Sequence, residues 1–276
     1  MSDATTTEKR TAGAPDGAAL IGHTGFVGGT LARAHHFGTL VNSKNTDALR
    51  GRHFDLLVCA GVSAVKWLAN KEPEADRAGI ARLTDALAET RADEFVLIST
   101  VDVYPNPVEA ADEATPIDAA ANHAYGRHRL ELEEWVRARF PKVRIIRLPA
   151  LFGAGLRKNA LYDLLNGNMV ESINPAGVFQ WYPMERLLSD IEIVRQNELP
   201  LVNLVPEPLA MQRIIDRFFS GAPVGPAKQP APLYDLHTRH GALFSAAPPP
   251  HYMLGAEEVL DAMGRYVAEE KGRARP

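Results

Sequence analysis

The chain alternates short, fully apolar runs with longer amphipathic stretches, a pattern typical of parallel strands connected by helices. The apolar runs predict strands over 18–21, 39–42, 54–59, 95–98 and 143–148. Apolar residues recurring at helical spacing predict helices over 29–37, 66–70, 74–90 and 125–140. This repeated alternation predicts an α/β fold of the Rossmann type, in which a doubly wound parallel sheet is covered by helices on both faces.

Two features modify this outline. Only about a dozen residues separate the second predicted strand from the third, so we expect an abbreviated sheet there. From Pro149 onward the pattern changes to shorter elements, namely helices over 159–166, 209–219 and 257–270, an aromatic run over 179–182 and a strand over 199–205. We therefore predict a dinucleotide-binding domain over 18–155 and, over 156–276, a small substrate lobe interleaved with returning sheet elements.

The first apolar run leads into three regularly spaced glycines, in the stretch Gly22-His23-Thr24-Gly25-Phe26-Val27-Gly28. Glycine at the first position permits a tight turn, and at the second it lets the backbone approach a pyrophosphate closely. At the third it lets the following helix lie against the strand. The stretch, including Thr24, Phe26 and Val27, therefore predicts a dinucleotide cofactor held at a helix N-terminus. A glycine-rich turn without a ligand is the alternative interpretation.

The tip of the second strand reads Asn42-Ser43-Lys44-Asn45 and lacks the carboxylate that binds the ribose 2′-hydroxyl of NAD. Ser43 and Lys44 suit a 2′-phosphate, so we predict NADP, with NAD as the alternative. A solvated Lys44 in an ordinary loop is the competing interpretation. At the end of the third strand, Ala60 and Gly61 are expected to pass close to the cofactor.

Composition narrows the function classes. The 276 residues are 46% hydrophobic and 23% charged, with a net charge of −4, which indicates a globular protein without a nucleic-acid or membrane footprint. The single cysteine, Cys59, lies in an apolar run and is expected to be buried, and no Cys/His grouping has metal-site spacing. Residues 1–17 resemble a disordered extension rather than a signal peptide. We therefore expect a soluble, cytoplasmic protein.

Four matches in order resemble the extended short-chain dehydrogenase/reductase superfamily, in its nucleotide-sugar epimerase, dehydratase and reductase group. They are the glycine turn, Ile98-Ser99-Thr100 leading to Val103-Tyr104, Tyr125-Gly126 opening a helix, and the stretch from Arg147 to Gly153. The matches cover residues 18 to about 155, and the second half resembles the substrate lobe only in general layout.

The resemblance implies hydride transfer with an NAD(P) cofactor and a nucleotide-linked sugar as substrate. Tyr125 would be the general acid/base, Thr100 would hold the reacting oxygen, and Leu148, Pro149 and Ala150 would pass beside the nicotinamide. The family has lysine four residues after the tyrosine, where this chain has Arg129. Arginine keeps the charge that stabilises a tyrosinate but differs in size and hydrogen-bond geometry.

Several other side chains allow both a functional and a purely structural interpretation. Four residues of the second half lie where the family's substrate-binding region is expected, and we predict that they face the substrate: Lys158, Asn159, Gln180 and Tyr182. The alternative for each is an ordinary polar loop residue or a packed aromatic. We expect Lys66 to be a solvated charge, although a phosphate or substrate contact is open. We expect His128 to lie on the helix surface, with a proton relay as its alternative, and Trp67 to be a packing residue.

Two functions remain open at this point. The first is an NAD(P)-dependent oxidoreductase, epimerase or dehydratase acting on a nucleotide-linked sugar or similar polyol. The second is a non-catalytic sensor in which bound dinucleotide controls a partner, favoured by the loss of the lysine. By analogy with the family, a homodimer through 75–90 and 128–140 is a further expectation.

Overall fold

The computed structural model describes residues 17–108 and 110–273. The predicted extension over residues 1–17 lies outside the described residues except for Gly17. The strands are β1 Ala18–Ile21, β2 Thr39–Val41, β3 His53–Cys59, β4 Arg91–Thr100, β5 Val143–Leu148, β6 Ala150–Phe152, β7 Val178–Phe179, β8 Trp181–Pro183, β9 Leu201–Asn203 and β10 Leu209–Ala210. The helices are α1 Phe26–Ala34, α2 Lys66–Lys71, α3 Pro73–Ala88, α4 Ala124–Arg139, α5 Ala160–Asn166, α6 Leu187–Gln196, α7 Met211–Phe218 and α8 Ala256–Arg273.

Six strands form one parallel sheet in the order β2-β1-β3-β4-β5-β9. This confirms the predicted fold class. Within the described ranges no strand pairs with the outer edge of β2, and the connection from β2 to β3 contains only a 3-10 turn over Thr46–Leu49. The expected abbreviation of the sheet is therefore confirmed.

Side chains alternate between the two faces of the sheet, which is why the strands are apolar throughout. In β1, Leu20 packs in the same core cluster as Leu31 of α1. Its neighbours Ala19 and Ile21 pack in the opposite cluster, which contains Leu83 of α3. Both faces of the sheet are thus covered by helices, and the carboxyl ends of the strands are left to form the site.

The first helix begins earlier than predicted. The sequence pattern placed it over 29–37, whereas α1 starts at Phe26 with Gly25 as its N-cap and ends at Ala34. The helix starts inside the glycine turn because Gly28 must already be helical to pack on Gly22. The amphipathic pattern of 31–36 alone could not show this.

The second half returns to the sheet through β9, which pairs in parallel with β5. Two small two-stranded sheets lie outside the main sheet, β6 with β8 and β7 with β10. The predicted helix over 209–219 begins only at Met211, because residues 209–210 form β10 and pair with β7.

The position of α4 depends on one glycine. A Cβ atom at Gly126 would lie 2.1 Å from the carbonyl oxygen of Asp102 and 2.4 Å from Nδ2 of Asn122. The helix is therefore in backbone contact with the turn that follows β4. His123 caps the same helix end, and its Nδ1 accepts a hydrogen bond of 3.0 Å from the Gly126 N–H. This close approach brings Tyr125 to the end of β4.

We expect Gly126→Ala to lower the free energy of unfolding by about 1–3 kcal/mol, because the methyl group overlaps backbone that cannot move aside cheaply. Gly79→Ala is the matched control, since its Cβ would meet nothing closer than Arg82 Nη2 at 3.8 Å within α3. That variant should gain up to about 1 kcal/mol from helix propensity. Urea unfolding measures both, and equal effects would contradict the packing argument.

Candidate functional site

The glycine turn is built by backbone contacts that only glycine permits. Gly22 has φ +87°, and a Cβ there would lie 2.3 Å from the carbonyl oxygen of Ala60. A Cβ at Gly28 would lie 2.1 Å from the Gly22 carbonyl oxygen, and one at Gly61 would lie 2.4 Å from Cγ2 of Ile21. Gly25 is different, because its Cβ would meet only the Gly22 oxygen, at 3.4 Å. Gly25 is thus open towards the cleft.

A cleft of about 1500 Å³ runs from this turn along the carboxyl ends of the strands. Most of the residues predicted to bind a cofactor or substrate line it. They are Gly22, Thr24, Gly25, Phe26, Val27, Asn42, Ser43, Ala60, Gly61, Thr100, Tyr125, Arg129, Leu148, Pro149, Ala150, Lys158 and Asn159. The fold therefore brings together residues from seven separate stretches of the chain.

The end of β2 contributes two of its three predicted residues. Asn42 and Ser43 line the cleft, whereas Lys44 is exposed and does not line it. The Asn42 side chain holds the turn, because its Oδ1 accepts a hydrogen bond of 2.9 Å from the Lys44 N–H. Asn42 and Ser43 are therefore the polar residues of this tip that line the cleft.

Thr100 and Tyr125 both line this cleft. The Thr100 Oγ1 accepts a hydrogen bond of 3.1 Å from the Asp102 N–H, and Tyr125 is 7% exposed. The Tyr125 N–H donates to Oδ1 of Asn70 at 2.9 Å, which ties α4 to α2. Burial raises the pKa of the Tyr125 phenol. The charge of Arg129 opposes that rise, and the charge of Asp102 adds to it.

Arg129 is held by Asp76 of α3. Its Nη1 and Nη2 donate to the two carboxylate oxygens of Asp76, and Nη2 also donates to the Ser63 carbonyl. The guanidinium carbon lies 4.0 Å from the centroid of the Tyr125 ring. Arg129 therefore supplies positive charge beside the phenol, while its terminal N–H groups are directed at protein acceptors.

The same carboxylate holds His128, which corrects the expectation of a surface histidine. His128 is 2% exposed, and its Nδ1 lies 2.8 Å from Oδ2 of Asp76. Burial alone would raise the pKa of Asp76, but the hydrogen bonds from Arg129 and His128 outweigh it and hold that pKa below its usual range. Asp76 was not singled out in the sequence, because its partners lie more than fifty residues away.

Lys66 is not a solvated charge, contrary to the interpretation that the sequence favoured. Its Nζ donates to Oδ1 of Asp102 at 2.7 Å and to the Tyr234 hydroxyl at 3.1 Å. The Tyr234 hydroxyl in turn donates to Oδ1 of Asp102 at 2.9 Å. Lys66 and Asp102 line the cleft, and Trp67 beside them is 67% exposed and also lines it rather than packing in the core.

The four predicted substrate residues separate into two pairs. Lys158 and Asn159 line the cleft; Lys158 Nζ donates to the Ala64 carbonyl at 2.6 Å, and Asn159 caps α5 by accepting from the Tyr162 N–H at 3.1 Å. Asn159 also has φ 123°, a strained conformation for a residue with a Cβ.

The second pair lies away from the main cleft. Tyr182 is completely buried, and its hydroxyl donates to Oδ2 of Asp190 at 2.7 Å, so the expectation that it faces a substrate is corrected. The amide of Gln180 is hydrogen-bonded to the backbone of Pro206 and Leu236. Gln180 lines only a smaller cavity of about 200 Å³, which it shares with Thr100, Asp102 and Tyr234 among others.

The turn and helix α1 fit the phosphates of a dinucleotide. No side chain caps the N-terminus of α1, and the first-turn N–H groups of a helix have no acceptor within it. These donors face the cleft at Phe26 and Val27, beside the open side of Gly25. The fold is of the doubly wound class, and the start of α1 fits a ligand that carries phosphates.

A family model supports a closer assignment. Residues 35–176 match the NAD dependent epimerase/dehydratase family, and this range contains Thr100, Tyr125 and Arg129. The chain belongs to that family. Membership implies an NAD(P) cofactor. No curated protein matches the chain by sequence.

Solved structures share the fold at low sequence identity. A dTDP-4-dehydrorhamnose reductase from Clostridium acetobutylicum has 15% identity and a TM-score of 0.67, covering 92% of this chain and 99% of that one. A UDP-N-acetylglucosamine 4-epimerase from Methanobrevibacter ruminantium has 11% identity and a TM-score of 0.69, covering 93% and 99%. The NAD-dependent NDP-hexosamine 5,6-dehydratase TunA has 18% identity and a TM-score of 0.68, covering 94% and 98%.

Residues 17–108 and 110–273 contain neither a membrane-spanning helix nor a cluster of metal-binding side chains. No helix there has the length and apolar character needed to span a membrane. Nor do three or more His, Cys, Asp or Glu side chains come together there in a group that could hold a metal ion. Cys59 is free and buried, as expected, and burial raises the pKa of its thiol to about 11.

We expect Asp76→Asn to lower the free energy of unfolding by about 3 kcal/mol, because it leaves the buried Arg129 without its counter-charge. The folded pKa of Asp76 is depressed. The stability that this carboxylate contributes is therefore present above its unfolded pKa and is lost as the pH falls through its folded pKa. The free energy of unfolding, measured by urea across acidic pH, should fall less steeply in Asp76→Asn than in the parent.

Asp47→Asn is the matched control. Asp47 also pairs with an arginine, Arg50, but its side chain is 84% exposed, so the change should stay within about 0.5 kcal/mol. An identical acid dependence in Asp76→Asn and the parent would contradict the buried-pair assignment.

Proposed function

We propose that this chain catalyses an NAD(P)-dependent reaction on a nucleotide-linked sugar, as an epimerase, dehydratase or reductase. The observation that carries the proposal is the placement of Thr100 and Tyr125 on the same cleft as the open glycine turn. Family membership supports the reaction class. The named activities of the structural neighbours, a reductase, a 4-epimerase and a dehydratase, support the substrate class.

The dinucleotide, when bound, supplies the hydride chemistry. Its phosphates would lie on the N–H groups at the start of α1, near Phe26 and Val27, and its nicotinamide would lie beside Pro149 and Ala150. Backbone N–H groups would hold the phosphates. Gly22 and Gly28 cannot be replaced by larger residues without disturbing this backbone, because a Cβ at Gly22 would meet Ala60 and a Cβ at Gly28 would meet Gly22.

Tyr125 exchanges a proton with the substrate oxygen at which hydride is gained or lost. Thr100 donates a hydrogen bond that orients this oxygen towards the phenol. Burial excludes water from the phenol and favours its neutral form, while the positive charge of Arg129, 4.0 Å from the ring, favours the phenolate. Arg129 acts in this proposal through charge and stacking, since its terminal N–H groups are engaged by Asp76 and Ser63.

On the substrate side, we propose Lys158 and Asn159 as contacts because both line the cleft. Lys158 carries a positive charge suited to a nucleotide diphosphate, and its bond to the Ala64 carbonyl can be exchanged for a phosphate oxygen. Tyr182 is left out because it is buried in the core, and Gln180 because its amide already bonds to backbone.

The central experiment is Tyr125→Phe. This variant should lose at least about a hundredfold in turnover of nucleotide sugars while binding NAD(P)H as the parent does, since the phenol oxygen transfers the proton but does not hold the phosphates. Turnover is followed by nicotinamide absorbance or product chromatography, and dinucleotide binding by calorimetry. Tyr162→Phe is the matched control, because Tyr162 lies in α5 and does not line the cleft.

The second candidate function, a dinucleotide-dependent sensor, is favoured by one observation: Arg129 is engaged by Asp76 rather than free to bind a ribose. The same experiment separates the two functions. If the parent binds dinucleotide but turns over no nucleotide sugar, and Tyr125→Phe changes neither property, the sensor is the better account.

We also propose NADP as the preferred cofactor, because Ser43 lines the cleft at the β2 tip and the described tip residues, 42–45, include no carboxylate. Lys44 would reach a 2′-phosphate only by turning its exposed side chain towards it. Lys44→Ala and Ser43→Ala should weaken NADPH binding by about tenfold and leave NADH binding nearly unchanged. Lys228→Ala, another exposed lysine, is the control in the same calorimetric titrations. Equal losses for both dinucleotides would exclude the 2′-phosphate assignment.

A further inference from the structure

Two cation–carboxylate pairs lie on elements that contact Tyr125 or its neighbour. Arg129 stacks on the Tyr125 ring. The Asp102 carbonyl is packed against Gly126, and Asn70, on the same helix as Lys66, accepts from the Tyr125 N–H. The sequence motif accounts for only one of the two cations. The first pair is Arg129 with Asp76, and the second is Lys66 with Asp102, 2.7 Å apart. Lys66 comes from α2 and Asp102 from the turn after β4, so the second pair is assembled from elements outside the tyrosine helix.

The two pairs differ in how firmly they are held. The side chains of Arg129 and Asp76 are 5% and 6% exposed, and both carboxylate oxygens are bonded to the guanidinium. Lys66 is 37% exposed, and a single oxygen of Asp102 accepts its bond. All four residues line the cleft, but Lys66 is far more exposed than Arg129 and Asp76, so a bound ligand would reach the second pair more readily.

Tyr234 completes the second pair. Its hydroxyl accepts from Lys66 Nζ and donates to Asp102, and its ring stacks on Phe179 with centroids 5.8 Å apart. This residue comes from the last quarter of the chain and lines the small cavity beside Thr100. The cluster therefore lies between the cleft, which Lys66 and Asp102 line, and the small cavity, which Asp102 and Tyr234 line.

The charges of this cluster act on Tyr125 in opposite directions: Asp102 favours the neutral phenol, and Lys66 favours the phenolate. The other charged or titratable groups facing Tyr125 are Arg129 with Asp76 behind it, and His123 at the N-cap of the same helix. The pKa of His123 is lowered by burial and by the charge of Lys66, so His123 adds little charge near neutral pH.

We propose that Lys66 is a positioning residue for Tyr125, which neutralises Asp102 in a Lys66–Asp102–Tyr234 cluster and so keeps the tyrosine able to give up its proton. This inference rests on the proposed function for its catalytic meaning, but the cluster and its effect on Tyr125 exist without any substrate. Lys66 is the more exposed cation of the two, so a ligand can change its surroundings, whereas the buried pair of Arg129 and Asp76 keeps the same charge with or without a ligand.

The test is the ionisation of Tyr125 itself, measured without substrate. Ultraviolet difference titration of each protein against the same protein carrying Tyr125→Phe isolates this phenol from the other tyrosines, including Tyr234. Lys66→Met should raise the pKa of Tyr125 by about one unit or more, because Asp102 then acts unopposed. Asp102→Asn should lower it, and the double variant Lys66→Met/Asp102→Asn should return close to the parent.

Lys71→Met is the matched control, since Lys71 lies on the same helix and has no part in the cluster. Lys66→Arg should restore the parent titration, because it keeps the charge. An unchanged Tyr125 ionisation in Lys66→Met, or an equal shift in Lys71→Met, overturns the proposal. If Lys66→Met does not fold, Asp102→Asn decides the question: a lowered pKa supports the proposal, and an unmoved one overturns it.

These outcomes are distinct from those of the proposed function. If the parent shows no turnover, the proposed function fails while the titration still decides the role of Lys66. If the parent turns over nucleotide sugars, the alkaline shift of Tyr125 should also appear as an alkaline shift in the pH dependence of kcat/KM for Lys66→Met, reversed in Lys66→Arg.

Discussion

The candidate site depends on the parallel direction of the six strands. Because all of them run the same way, their carboxyl ends reach one edge of the sheet, where Ile21 pairs with Cys59 and Thr100 with Leu148. Residues far apart in the chain therefore become neighbours without any loop having to carry them there. The glycine contacts then close the edge: Gly22 touches Ala60, Gly28 touches Gly22, and Gly126 touches Asp102. At the glycine turn the wall of the cleft is backbone, which is suited to binding phosphates.

The second constraint is that a buried charge needs a partner of opposite charge. It explains how this chain accommodates Arg129 four residues after Tyr125, where the family has lysine. A buried guanidinium without a counter-charge would be strongly destabilising. Asp76 provides that counter-charge from α3, and it also receives the buried His128. The Arg129 guanidinium therefore stays over the ring of Tyr125, while its terminal N–H groups donate to Asp76 and to the Ser63 carbonyl. A lysine at this position would have a single ammonium group and no planar surface to stack on the ring.

The second pair extends the same principle to the ligand side of the cleft. Lys66 and Asp102 neutralise each other where a substrate would lie, and Tyr234 anchors them to the C-terminal part of the chain. The C-terminal part of the chain thus contributes, through Tyr234, to the charge balance around Asp102.

Thr100 and Tyr125 were expected as a pair through the resemblance to a known family. The sequence by itself determined the fold class, the position of the glycine turn and the short connection after β2. These follow from local rules: apolar runs make buried parallel strands, glycine spacing makes a turn, and both act over a few residues. Only the tertiary structure decided the partners of the charged side chains. Each of these pairs joins two separate secondary-structure elements or turns that packing brings together. The pairs are Asp76 with Arg129, Lys66 with Asp102, and Tyr182 with Asp190. Whether a lysine is solvated or paired depends on what packing places opposite it, and no pattern within the stretch around Lys66 records that.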